Sequence, residues 1–188
     1  GIYASASGTL TMTDCVISNN TTGNGATNVP NSSSGGRGAG IFFTTGTLRL
    51  TNVVITGNRT GDSGGGPSGG RSGYGGGIWA GVDFPPNQPT NLVLNRVTIT
   101  DNGTGSGLNS GDTGEGGGIF LIQGTMSLTD STVSNNHTGD AISHQAGRGA
   151  GIFNNGTLTV RNSLISDNTT GDNSLGSNNN GGGIASFG

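Results

Sequence analysis

The sequence predicts an all-β solenoid, one domain over residues 1–188, wound as about five three-stranded parallel coils with a Gly-rich loop after each. Three observations predict it. One pattern recurs five times, opening Gly-Ile-X at Gly1, Gly40, Gly77, Gly118 and Gly151 and reaching Asn-X-Thr-Gly at Asn20, Asn58, Asn102, Asn136 and Asn168. Apolar residues alternate with period two between those marks, and no stretch carries a helical period. Units of this length bury their apolar faces against their neighbours and stack as quasi-one-dimensional arrays. The units are 1–39, 40–76, 77–117, 118–150 and 151–182, with a sixth start at 183–188.

Each coil element has its own signature. The first strand is Gly-Ile-X, with Ile2, Ile41, Ile78, Ile119, Ile152 and Ile184 in one column. The second is X-Leu-X-Leu, carrying Leu10 and Met12, Leu48 and Leu50, Leu92 and Leu94, Met126 and Leu128, Leu158 and Val160. The apolar spacing then steps from two to three. That step predicts a corner at Asp14, Asn52, Arg96, Asp130 and Asn162, where Asn and Asp tolerate a left-handed backbone. The third strand follows, with Ile17, Ile55, Ile99, Val133 and Ile165 pointing in. The third unit carries an insert around Asp83, Phe84, Pro85 and Pro86. The loop ending each unit runs 11 to 16 residues, rich in Gly, Ser and Asn, and is expected on the surface. Coils stacked at roughly 4.8 Å make a rod about 24 Å tall.

Composition narrows the function. Of 188 residues 41 are Gly, about three times the usual share. Only 28% are hydrophobic and 9% charged, so the core is thin and shared between coils. The net charge is −3 and every basic residue is Arg, with no basic cluster, which argues against nucleic-acid binding. No segment approaches the roughly 20 apolar residues of a membrane helix. No signal peptide is visible, and the chain opens in mid-pattern, which fits a removed leader or a segment of something longer. The lone Cys15 occupies a column filled elsewhere by Val53, Val97, Ser131 and Ser163, so it reads as a small core residue.

Gly-Gly-Gly-Ile followed by Gly-Thr-Leu-X-Leu-Thr-Asp-Ser-X-X-Ser-X-Asn resembles the right-handed parallel β-helix repeats of bacterial surface proteins. Large pectin-lyase-like adhesins and the polymorphic outer membrane proteins are among these. The resemblance spans essentially the whole chain and implies an extracellular or cell-surface setting. Polysaccharide lyases and hydrolases on this fold use clustered acids, often with Ca²⁺ and a basic residue. Here the ten acids are scattered. Asp14 and Asp130 share a column but lie three coils, roughly 14 Å, apart. Asp140 and Asp172 fall in adjacent coils, where a weak Ca²⁺ site competes with a plain turn role. His137 and His144 lack Cys or repeated partners. No metal, cofactor or catalytic residue is expected.

Two columns stand out as contact candidates. Asn20, Asn58, Asn102, Asn136 and Asn168 each fit the N-glycosylation pattern, as do Asn19, Asn31 and Asn155. The same five asparagines also fit a hydrogen-bonded ladder at a tight turn. Tyr3, Phe42, Trp79, Phe120 and Phe153 follow the repeated Ile, and period two sends them outward. Loop cover, a protein interface and a sugar-stacking platform all fit such a stripe. Three functions then compete. The leading one is a non-enzymatic structural or adhesive rod whose ends stack on further copies or on adjoining segments of a longer chain. The second is a polysaccharide-binding or polysaccharide-cleaving β-helix. The third is ice binding through Thr rows on the second strand, interrupted by Arg49, Val93 and Arg161.

Overall fold

A computed structural model describes residues 1–5, 7–27, 33–65, 70–82, 90–108, 111–142, 145–173 and 180–188. Its sixteen strands form three parallel sheets, and the described residues contain no helix. The first sheet stacks β1 (Ile2–Ala4), β4 (Ile41–Phe43), β7 (Ile78–Ala80), β10 (Ile119–Leu121), β13 (Ile152–Asn154) and β16 (Ile184–Ser186). The second stacks β2 (Thr9–Thr13), β5 (Gly46–Thr51), β8 (Thr90–Asn95), β11 (Gly124–Thr129) and β14 (Thr157–Arg161). The third stacks β3 (Val16–Ser18), β6 (Val54–Thr56), β9 (Thr98–Thr100), β12 (Thr132–Ser134) and β15 (Leu164–Ser166). Each coil contributes one strand to each sheet, the arrangement of a right-handed parallel β-helix.

Register follows the columns. Ile2 pairs with Ile41, Ile41 with Ile78, Ile78 with Ile119, and Ile119 with Ile152. The inward side chains form one continuous core in which Ile41, Leu48, Leu50, Ile55, Ile78, Leu92, Ile99 and Ile119 are all 0% exposed. Cys15 packs half-buried against it.

Backbone conformation places the corners. Asp14, Asn52, Arg96, Asp130 and Asn162 have φ of 52°, 55°, 51°, 50° and 48°. A second corner follows the third strand at Asn19, Gly57, Asp101, Asn135 and Asp167, all left-handed. A third lies three residues ahead of each repeated Ile, at Gly38, Gly75, Gly116, Gly149 and Gly181, with φ between 58° and 68°. Asn, Asp and Gly adopt this region at least cost, and Arg96 stands there without that advantage.

The Gly-rich loops differ from their expected surface role. Their described parts stack on one another as a further layer, and Ser63, Ser72 and Thr113 within it are at most 3% exposed. Bridges tie Arg71 to Asp112 and Gly107 to Ala141. The reason is steric. Gly36, Gly73, Gly114 and Gly147 form a column, and a Cβ on any of the last three would strike the carbonyl oxygen of the glycine one coil away. Only a chain without side chains brings successive loops this close.

Candidate functional site

The asparagine column is a continuous hydrogen-bonded ladder. Asn20 Nδ2 donates to Asn58 Oδ1 at 2.8 Å, Asn58 Nδ2 to Asn102 Oδ1 at 2.9 Å, Asn102 Nδ2 to Asn136 Oδ1 at 3.0 Å and Asn136 Nδ2 to Asn168 Oδ1 at 2.9 Å. The backbone N–H of each of the first four donates to the same acceptor at 3.0 Å. The Nδ2 groups also donate inward, Asn102 to the Ile55 carbonyl at 2.9 Å and Asn136 to the Ile99 carbonyl at 2.9 Å. Asn58, Asn102 and Asn136 are 0% exposed. A glycan attaches at Nδ2, so it would replace an N–H already donated and would need solvent that these three side chains do not reach. Asn19 and Asn155 are exposed, and Asn31 lies outside the described residues.

The threonine of the signature has a matching job. Thr60 Oγ1 donates across its own coil to the Gly73 carbonyl at 2.7 Å and accepts from the Gly105 N–H of the next coil at 3.1 Å. Thr104 repeats this with Gly114 at 3.0 Å and Gly139 at 3.1 Å. Thr22 and Thr138 repeat it again with Gly36, Gly61, Gly147 and Gly171. One hydroxyl thus joins the front of a coil to its loop and to its neighbour. Asp62 and Asp140 act similarly, accepting from the backbone N–H groups of Ser106 at 2.8 Å and Asp172 at 2.9 Å. Asp140 and Asp172 therefore meet through a turn hydrogen bond. No group of three His, Cys, Asp or Glu able to hold a metal occurs among the described residues. His137 sits over Gly103, and partial burial together with nearby Arg59 holds its imidazole below the ordinary range. His144 and the insert at Asp83 to Pro86 lie outside the described residues.

The aromatic column does point away from the core, but loops roof most of it. Trp79, Phe120 and Phe153 are 2%, 6% and 7% exposed, whereas Tyr3 is 73% exposed. Tyr3 stacks on Phe42 at 5.1 Å, Phe42 on Trp79 at 4.4 Å and Phe120 on Phe153 at 4.9 Å, each pair within 12° of parallel. The roof is a column that sequence reasoning missed: Arg37, Tyr74, Glu115 and Arg148, each one residue before a left-handed glycine. Arg37 lies over Tyr74 and Trp79 at 5.4 and 5.7 Å, and Arg148 over Phe153 and Phe187 at 5.6 and 4.8 Å. The constant glycine at φ near 60° marks this position in sequence, but the mixture of Arg, Tyr and Glu before it disguises it.

Charged groups converge there. Arg148 binds Glu115 through two nitrogens at 2.6 and 2.7 Å, and Arg71 reaches the Tyr74 hydroxyl at 3.0 Å and Asp112 at 3.5 Å. Burial pushes the Glu115 carboxyl above its usual value, with Arg148 opposing the shift, and burial likewise raises the Tyr74 phenol. Beneath them lies a cavity of about 200 Å³ bounded by Arg37, Arg71, Tyr74, Trp79 and Glu115. The Trp79 Nε1 in its wall is buried without a hydrogen-bond partner. Comparison with known proteins finds no matching family model, no matching curated protein and no matching solved structure.

Proposed function

We propose that the chain is a non-enzymatic structural or adhesive element of an extracellular or cell-surface assembly. It is a solenoid rod joined end to end with coils of its own kind. The distribution of exposed apolar side chains carries this reading. Among the described residues, Tyr3 and Val16 of the first coil and Val160, Leu164, Ile184 and Phe187 at the other end are exposed; between them only Ile142 is. Both end faces also present strand edges, a template for further pairing. Every interior coil meets the next in one register, and that register can seat β2 and β3 of another copy on β14 and β15, with the incoming β1 taking the place of β16 on β13. Such a contact is heterologous and does not close, so it builds fibres. Adjoining coils of a longer chain would use the same register. The repeat's resemblance to bacterial surface proteins supports the setting.

Sedimentation velocity and electron microscopy of the purified chain test the reading. It expects concentration-dependent rods that Val160→Glu shortens. Monomers at every concentration would refute stacking between separate copies and leave only adjoining coils of one longer chain as the partner.

A second reading, polysaccharide binding, draws support from the cavity under Arg37, Arg71 and Glu115, where charged groups, an aromatic wall and an unpaired indole N–H meet. The cavity is smaller than the roughly 300 Å³ lower bound of typical ligand pockets, so it would take a single sugar ring. Calorimetric titration with neutral and acidic oligosaccharides tests this; absence of heat with all of them rejects it.

A further inference from the structure

The outer face of the third sheet is chemically unlike the rest of the surface. Register stacks Ser18, Thr56, Thr100, Ser134 and Ser166 into an unbroken hydroxyl column, one per coil. Beside it run Val16, Val54, Thr98, Thr132 and Leu164, which present methyl groups and two more hydroxyls. None of the ten outward side chains is charged. The second sheet, which carries the more obvious Thr-Leu-Thr pattern, is broken by Arg49, Val93 and Arg161. The uninterrupted array therefore lies one wall away from where the sequence pattern draws attention.

We infer that this face binds the surface of ice. Parallel in-register strands repeat the hydroxyls about every 4.8 Å along the rod. Water bonded tetrahedrally at about 2.8 Å places second-neighbour oxygens about 4.5 Å apart. The mismatch is about 0.3 Å per coil, or about 1.2 Å over the four steps between five coils. Centred on the middle coil the drift is about 0.6 Å to either side, and a Ser or Thr proton turns to re-aim its bond across such an offset. One pair of hydroxyls meets along the column, with Ser134 Oγ 3.5 Å from Thr100 Oγ1, while Thr100 Oγ1 donates to Asp101 Oδ2 of its own coil at 3.2 Å. The threonines of the array hold their side chains in few rotamers, so little freedom is lost on binding. Charge selects the partner as well. The wall's ten side chains carry no charge, and the carboxylates at its edge, Asp101 and Asp167, repel an anionic polymer or membrane; the wall itself matches a neutral lattice of donors and acceptors. Methyl groups between the hydroxyls favour a flat surface from which loose water can be displaced.

This face lies along the rod and works whether or not rods join end to end. The test is ice growth in the purified chain's solution, followed as the gap between freezing and melting temperatures and as crystal shape. The wild-type chain is expected to open a gap and to facet the crystals. Thr132→Lys with Ser134→Lys is expected to abolish both, while Ser127→Lys on the second sheet leaves both intact. Circular dichroism confirms that each variant folds. A wild-type chain that opens no gap overturns the proposal, and so does equal loss from Ser127→Lys. Sedimentation with crystalline cellulose or chitin but no effect on ice overturns it in favour of a neutral polysaccharide.

Discussion

Replacing Asn102 with Ala removes the centre of the asparagine ladder, and the structure sets the cost. Five side-chain contacts disappear, carried by two N–H donors and one acceptor oxygen, so they amount to about four hydrogen bonds. Asn102 Nδ2 no longer donates to the carbonyls of Ile55 and Thr100 or to Asn136 Oδ1, and Asn102 Oδ1 no longer accepts from the N–H and Nδ2 of Asn58. At about 1 kcal/mol net each, the upper figure is about 4 kcal/mol. Part is recovered, because Asn58 Nδ2 keeps its bonds to the Ile17 and Thr56 carbonyls and Asn136 Oδ1 keeps the Asn102 N–H. The Asn58 N–H loses its side-chain acceptor in a site with 0% exposure and carries a desolvation penalty. The expected loss is about 2–4 kcal/mol, read as a shift in the urea midpoint. Asn155→Ala, at an exposed position, should fall within about 0.5 kcal/mol of wild type. Asn102→Asp sharpens the test. Its second oxygen would face three acceptors, so the folded state favours the protonated acid and the folded pKa rises above the unfolded one. The variant should therefore be most stable below the ordinary Asp range and weaken as pH rises through the folded pKa. A loss under about 1 kcal/mol for Asn102→Ala would mean that the ladder does not hold the coils together.

Other perturbations follow from the same geometry. Arg96→Gly relieves a left-handed residue at φ 51° and should stabilise the chain by up to about 1 kcal/mol, seen as a higher melting temperature; a lower one would refute strain at that corner. Thr104→Val keeps shape but deletes the bonds to Gly114 and Gly139. It should cost about 2 kcal/mol and speed hydrogen exchange at the Gly139 amide; unchanged exchange there would contradict the staple. Glu115 has a folded pKa raised by burial, so its contribution is fully present below the unfolded pKa and lost as pH rises through the folded one. Glu115→Gln should flatten stability between pH values just below and just above the usual carboxylate range, and an unaltered profile would assign that slope elsewhere.

The sequence and the structure agree most closely where one residue type repeats. The first corner was legible because Asp14, Asn52, Asp130 and Asn162 share a tolerance for positive φ, and the break in apolar spacing marks the spot. The second corner is written as plainly in Asn19, Asp101, Asn135 and Asp167, yet it sits inside a polar run where periodicity is silent. The roof over the aromatics was hidden because Arg37, Tyr74, Glu115 and Arg148 share a place but not one chemistry, and the loops before them differ in length. Burial of those loops was missed because glycine contributes nothing to a hydrophobic pattern, although its lack of a side chain is what lets the loops touch. The hydroxyl column of the third sheet was masked by Val16, Val54 and Leu164 alternating beside it.

The central claim is that the Asn-X-Thr-Gly signature is a stacking device. Hydrogen exchange of the asparagine side-chain amides, followed by nuclear magnetic resonance, tests it most directly. The Nδ2 protons of Asn58, Asn102 and Asn136 should exchange as slowly as the amides of the core strands, with Asn20 and Asn168 at the ladder's ends exchanging faster. Exchange of all five at the rate of a free amide would contradict the claim.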